Sequence, residues 1–190
     1  MKELSLNILD ITQNSIKAGA TLIEIHLTET EETLVMMIRD NGCGMSKELL
    51  AHVTDPFCTT RKTRKVGLGI PLLRLAAEQT GGKFEITSIS EQDDPVQHGT
   101  TTTATFFKNH LDFTPLGDIV STLITLFQSI GDYDIVFLHT IPGGASVKVD
   151  TRELRATLDG VPLNTPDVLV WIRDYLNEQY NELKKSNLSK

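Results

Sequence analysis

The chain has 190 residues, 39% of them hydrophobic and 23% charged, with a net charge of −7. That composition belongs to a globular protein with its own core, and the acidic balance argues against a general nucleic-acid or anionic-membrane surface. No apolar run reaches the roughly 18 residues of a membrane span, no signal-peptide order opens the chain, and Cys43 and Cys58 are too few for a disulfide framework or a four-ligand metal site, so reduced thiols and a cytoplasmic location are expected.

In chain order, Leu4, Ile8, Ile11 and Ile16 recur at helical spacing, and Gly19 closes that helix. Asp10 and Asn14, four apart, share one face of it. Leu22 to Thr28 alternates as a half-buried strand, and Thr33 to Arg39 is its hairpin partner. That second strand delivers Asp40-Asn41-Gly42-Cys43-Gly44-Met45, a carboxylate at a strand end followed by glycines at alternate positions. Glycine is used where the chain needs φ > 0 or must pass very close to another group.

Ser46 reads as the N-cap of a short helix to about Val53. Thr54 to Val66 has no periodicity and carries Arg61, Lys62, Arg64 and Lys65, which marks a long functional loop. It runs into Gly67-Leu68-Gly69-Ile70 and a helix with Pro71 in its first turn, stopped by Gly81-Gly82. Free N–H groups at such a helix start, with cations just upstream, suit a polyphosphate. Lys83 to Ile89 and the threonine-rich Gly99 to Phe107 are strands, and a threonine at the start of the second can reach the same pocket as Asp40.

After Lys108 the character changes. Thr114-Pro115 is expected to cap a helix that ends at Gly131. Strands at Tyr133 to His139 and Ala145 to Val149 flank a turn at Pro142-Gly143-Gly144. Asp150 and Glu153 resemble a capping box, and Thr165-Pro166 starts a last helix that frays from Lys184. No chemistry-bearing cluster is apparent here, and His110 and His139 read as isolated.

Taken together, the D-x-x-x-N helix, the Asp40–Met45 turn, the basic loop, the Gly67–Ile70 helix start and the Gly99-Thr100 strand resemble the GHKL ATPase superfamily. That group includes DNA gyrase, the large heat-shock chaperone, histidine kinases and mismatch-repair ATPases. The resemblance covers about residues 4 to 108. Asp10 to Ser15 with Ala18 to Thr21 looks like the N box, and Asp55-Pro56-Phe57 before Thr59 to Lys62 looks like the histidine-kinase F box and lid.

The resemblance implies an α+β fold, a two-layer Bergerat-type sandwich with a mixed sheet and helices on one face over residues 1–108. A small C-terminal α/β subdomain of open role would occupy residues 109–190. It also implies roles for single residues. Asp10 would be the catalytic residue. Asn14 would hold Mg²⁺ beside ATP. Asp40 would accept the adenine amino group, with Gly42 and Gly44 letting the backbone pass the base and Thr100 assisting. Gly67, Leu68 and Gly69 would bind phosphates through backbone N–H groups, and either Lys62 or Lys65 would neutralise them.

Many members carry glutamate at the position of Asp10, and aspartate is one CH₂ shorter, so ATP binding is expected ahead of fast hydrolysis. The N box begins close to residue 1, without room for an upstream phosphoacceptor helix pair, so a transferred phosphate would go to another protein. Three functions follow from the resemblance: a stand-alone signalling kinase or regulator acting on a separate protein, a non-catalytic nucleotide sensor, or an ATPase clamp that dimerises on ATP binding. The ligands are ATP or ADP with Mg²⁺, the partner a protein, and a homodimer is possible under the clamp reading.

Overall fold

The computed structural model describes residues 3–55 and 68–188. Helix α1 (Leu4–Lys17) is followed by strands β1 (Leu22–Glu29) and β2 (Thr33–Asp40), helices α2 (Lys47–His52) and α3 (Gly69–Gln79), and strands β3 (Lys83–Ile89) and β4 (Gly99–Phe107). Then come α4 (Ile119–Gln128), β5 (Asp134–Thr140), β6 (Ser146–Asp150), α5 (Thr151–Thr157) and α6 (Pro166–Leu188).

The strands form one six-stranded mixed sheet in the order β3-β4-β2-β1-β5-β6. Every pairing is antiparallel except β1 with β5. Alternation puts Ile23, Ile25 and Leu27 of β1 on the same face as Met36 and Ile38 of β2 and Ile135 and Phe137 of β5. All of these are buried, and Leu4, Ile8 and Ile11 of α1, Leu73 and Ala77 of α3, Leu123 and Phe127 of α4 and Ile172 and Leu176 of α6 pack into the same core. Each such buried Leu, Ile, Met or Phe side chain contributes about 1.5–3 kcal/mol. Over β1 to β4 the opposite sheet face, with Glu24, Met37, Arg39 and Thr101, carries only half-buried or exposed side chains. The fold is therefore a two-layer α+β sandwich with a mixed sheet. The segment after residue 108 extends that sheet through the β1–β5 pair and shares its core.

Where local chemistry sets the elements, structure and sequence agree. Ser46 caps α2, its Oγ accepting from the Leu49 N–H at 3.2 Å. Gly19 and Gly81 close α1 and α3 at φ of 75° and 76°. Three expectations need correction. Thr114-Pro115 does not start α4: the Pro115 and Leu116 carbonyls instead accept the N–H groups of Leu4 and Ser5, two of the open donors of α1. Asp118 caps α4, accepting from the Ser121 N–H at 2.9 Å. The last helix continues to Leu188 rather than fraying from Lys184. And His139 is buried rather than isolated: its Nδ1 meets the Tyr180 hydroxyl at 2.9 Å and its Nε2 the Glu29 carboxylate at 3.1 Å, while Lys108 bonds the other Glu29 oxygen at 2.7 Å. This chain of bonds ties α6 and β5 to the end of β1. Bonding from His139 first, and then from Lys108, outweighs burial and holds the Glu29 carboxyl down at about 2.

Candidate functional site

Asp40 is the last residue of β2, opposite Thr100 in register, and its side chain lies on the helix-covered face with Ile38. The Ser15 hydroxyl on α1 donates to its Oδ2 at 2.6 Å, a short charge-assisted bond. The N–H groups of Gly42 and Thr100 donate to Oδ1 at 2.9 and 3.3 Å. A carboxylate offers about four acceptor sites, so these bonds fix its orientation and leave acceptor capacity on Oδ2.

The surrounding turn is packed tightly from both sides. A Cβ on Gly42 would stand 2.9 Å from both Cβ and O of Ala18, at the end of α1. Gly44 adopts φ 64°, and a Cβ there would meet the Ile89 carbonyl oxygen at 1.9 Å. These two positions require glycine for the protein's own packing. The Cys43 N–H bonds the Ala18 carbonyl, the Met45 N–H bonds Ser88 Oγ at 2.8 Å, and His98 Nδ1 reaches the Gly42 carbonyl at 2.6 Å. Asn41 Oδ1 accepts from both Thr21 and Leu22 N–H groups, which pins the start of β1. The Ser88 hydroxyl donates to the Gly99 carbonyl, so at the 2.9 Å contact between Ser88 and Thr100 hydroxyls Thr100 is the donor. Its oxygen keeps acceptor capacity beside Asp40.

Asp10 and Asn14, both exposed, lie on the same helix that carries Ser15. They face the start of α3: a Cβ on Gly69 would stand 3.2 Å from Asp10 Cβ, 3.8 Å from its Oδ2 and 3.9 Å from Asn14 Nδ2. Leu72 is bonded to the Leu68 carbonyl and Pro71 has no N–H, so among the described residues the N–H groups of Gly69 and Ile70 are the ones at this helix end without an intrahelical acceptor. Leu68 itself is 43% exposed. One helix, α1, thus links a held carboxylate at one end of the pocket to two oxygen-bearing side chains beside a positive helix end at the other.

For Mg²⁺ this donor set is suitable. Among the described residues no group of three His, Cys, Asp or Glu side chains gathers into a metal cage. Magnesium needs none: it takes one or two protein oxygens together with phosphates and waters, and Asn14 with Asp10 beside the α3 N-terminus would provide them. Gly67, Lys62 and Lys65 lie outside the described residues, as do Phe57 of the F-box run and Cys58. Asp10 and Asn14 therefore lie beside Gly69 at the start of α3, and Asp40, Gly42, Gly44 and Thr100 gather at the end of β2. Ser15, Ser88, Asn41 and His98 have no role assigned from sequence. Ser15 and Asn41 carry a local signal, their places in the N-box run and the Asp40–Met45 turn, whereas Ser88 and His98 are tied to that turn by contacts 43 and 56 positions apart.

The family model described as histidine kinase-, DNA gyrase B- and HSP90-like ATPase matches residues 2–110. The chain belongs to this ATPase family. Within it, similar sequences include a putative sensor protein of Shewanella frigidimarina, 30% identical over 46% of this chain and 14% of the relative. The sensor protein KdpD of Clostridium acetobutylicum is 32% identical over 45% of this chain and 10% of the relative. Sporulation kinase D of Bacillus subtilis is 30% identical over 55% of this chain and 19% of the relative. The match is thus to a small part of each of these longer proteins. Among solved structures, the Aquifex aeolicus MutL ATPase domain complexed with ADP aligns at TM-score 0.54 and 12% identity, covering 84% of this chain and 70% of that one. The N-terminal domain of a DNA repair protein aligns at TM-score 0.58 and 17% identity, covering 78% and 52%. These two likenesses show the shared fold. This family member therefore carries an ATP-binding domain of histidine-kinase-like type, and among its described residues no helix is long and apolar enough to cross a membrane.

Proposed function

We propose that the protein binds Mg-ATP on the helix-covered side of the sheet and acts as a signalling kinase or regulator of a separate protein. The observation that carries this is the Asp40 carboxylate, bonded by Ser15, Gly42 and Thr100 with acceptor capacity left on Oδ2, on the same side as Asp10 and Asn14 at the start of α3. In this reading Asp40 takes the adenine amino group and Thr100 assists through its hydroxyl oxygen. Asn14 holds Mg²⁺. Gly67, Leu68 and Gly69 bind phosphates through their N–H groups, and Lys62 or Lys65 neutralises the β- and γ-phosphates. Asp10 acts at the γ-phosphate, as a base within hydrogen-bond reach or through one water.

Residues 1–108 form the nucleotide unit in this account, and residues 109–190 provide partner docking. Kinship with parts of sensor proteins and a sporulation kinase supports the signalling role. The exposed free thiol of Cys43 fits a reducing, cytoplasmic setting.

A second reading, a nucleotide sensor without turnover, is favoured by one observation: aspartate rather than the longer glutamate stands at position 10. Incubation with γ-labelled Mg-ATP, beside Asp10→Asn, separates the two. Transfer of label to a discrete protein, lost in the variant, supports the kinase. Binding with neither free phosphate nor transfer supports the sensor.

A further inference from the structure

The uncovered sheet face holds a cavity of about 660 Å³. It lies on the far side of β2 from the Asp40 carboxylate, because Met37 and Arg39 of β2, Thr101 of β4 and Leu22 and Glu24 of β1 alternate away from the helix-covered face. The connection from β3 to β4 forms its wall. Val96 there is 87% exposed, and Ile89 beside it is 46% exposed. Cavities of roughly 300–1,000 Å³ with apolar walls and a few polar groups are typical of small-molecule sites. Leu22, Met37, Ile89 and Val96 make the apolar part. Among the described residues Arg39 contacts a single charged group, Glu24 at 3.9 Å, too long for a hydrogen bond. Its guanidinium is thus left with a fork of donors that matches a carboxylate.

We propose that this open-face cavity binds a small amphiphilic carboxylate, its apolar body on Met37, Ile89 and Val96 and its headgroup on Arg39, and that occupancy alters nucleotide affinity. The coupling route is a short set of contacts. The wall is clasped to the Asp40–Met45 turn by His98 Nδ1, which donates to the Gly42 carbonyl, and by the Glu91 N–H on the Cys43 carbonyl. Asp40, Asn41, Gly99 and Thr100 are also among the cavity's lining residues, and the register puts the Asp40 and Thr100 side chains on the helix-covered face. A ligand that shifts the wall therefore shifts the turn that presents Asp40. Binding itself is independent of the nucleotide reading; its effect on ATP affinity rests on that reading.

The test uses monomeric decanoate, decan-1-ol and decyltrimethylammonium as probes on the full chain labelled at its methionine methyl groups. Met37 lines the cavity, whereas its neighbour Met36 is buried on the other face, so the expected result is a saturable shift of the Met37 methyl with Met36 unmoved. Decanoate should bind at least 10-fold tighter than decyltrimethylammonium. Arg39→Gln should remove that preference while leaving decanol binding unchanged, and Val96→Glu, at an exposed position that tolerates polarity, should abolish decanoate binding. Saturating decanoate should change the ATP dissociation constant by about 5-fold or more, with the reciprocal change in decanoate affinity. Non-saturable shifts, a saturable shift at Met36 without one at Met37, or equal binding of the two ions would overturn the site. Saturable binding with an unchanged ATP constant would overturn the coupling. Absence of ATP binding would count against the nucleotide reading and leave the decanoate arms to decide the site.

Discussion

Asp40→Asn isolates one atom of the nucleotide pocket. The substitution keeps the side-chain shape. The amide oxygen can occupy the Oδ1 position and still accept from the Gly42 and Thr100 N–H groups, now at 2.9 and 3.3 Å. The amide nitrogen then takes the Oδ2 position, and the Ser15 hydroxyl, 2.6 Å away, turns round to accept. Folding stability should therefore change by less than about 1.5 kcal/mol. The nucleotide meets a different surface. Adenine presents an amino donor to a donor, which loses a bond to a charged acceptor, about 1.5–3 kcal/mol, and adds an unpaired buried group. By titration calorimetry, ATP affinity should fall by roughly 100-fold, about 2.8 kcal/mol at 1.4 kcal/mol per tenfold. Guanine carries an acceptor at the same ring position, so preference for ATP over GTP should shrink or invert. A variant that melts like the parent and binds Mg-ATP within threefold of it would refute the adenine assignment.

Four further outcomes follow from the geometry. Gly44→Ala puts a Cβ 1.9 Å from the Ile89 carbonyl at φ 64° and should cost at least about 2 kcal/mol by urea unfolding, whereas Gly81→Ala, at φ 76° with nothing within 4 Å, should cost only about 1 kcal/mol. Asn14→Ala should weaken ATP binding about 10-fold with magnesium present and little with magnesium chelated; equal loss in both conditions would remove Asn14 from the metal. Asp10→Asn should retain nucleotide affinity within a few-fold while eliminating any phosphate release or transfer. Glu29 is held at about 2, below its ordinary 4.5, first by its bond to His139 and then by Lys108. Because the folded value is the lower one, this stabilisation is complete above pH 4.5 and is lost as pH falls toward 2, about 1–2 kcal/mol after solvent screening of a partly exposed pair. The stability difference between the parent and Glu29→Gln should shrink by that amount over this window, and a constant difference would show that Glu29 carries no linked proton.

How much was legible depended on whether a signal was local. The α1 stripe, the β1–β2 alternation, the Ser46 cap and the glycine stops are rules acting over a few residues, and they survive in the structure. Thr114-Pro115 is a good local cap signal but does not start α4, because the Pro115 and Leu116 carbonyls are taken by the N–H groups of Leu4 and Ser5, more than a hundred positions away. His139 looked isolated for the same reason: its partners are Glu29 on the neighbouring strand β1, 110 positions away in sequence, and Tyr180 on the last helix. In the pocket, residue types and spacing marked Asp10, Asn14, Asp40 and Gly69. The hand-off from Ser15 to Asp40 depends on how α1 crosses β2, which no spacing rule gives. Gly42 and Gly44 looked like room for a ligand, and the structure adds that Ala18 and Ile89 leave room for nothing larger.

The central claim is that nucleotide lies on the helix-covered side, base at Asp40 and phosphates at the start of α3. Backbone amide shifts during titration with a non-hydrolysable Mg-ATP analogue test it most directly. Saturable shifts at Gly42, Gly44 and Thr100 together with Gly69 and Ile70, all with one dissociation constant, are the predicted result. Shifts confined to the outward-facing residues around Met37 and Arg39, or none at Gly42 and Gly69, would contradict it.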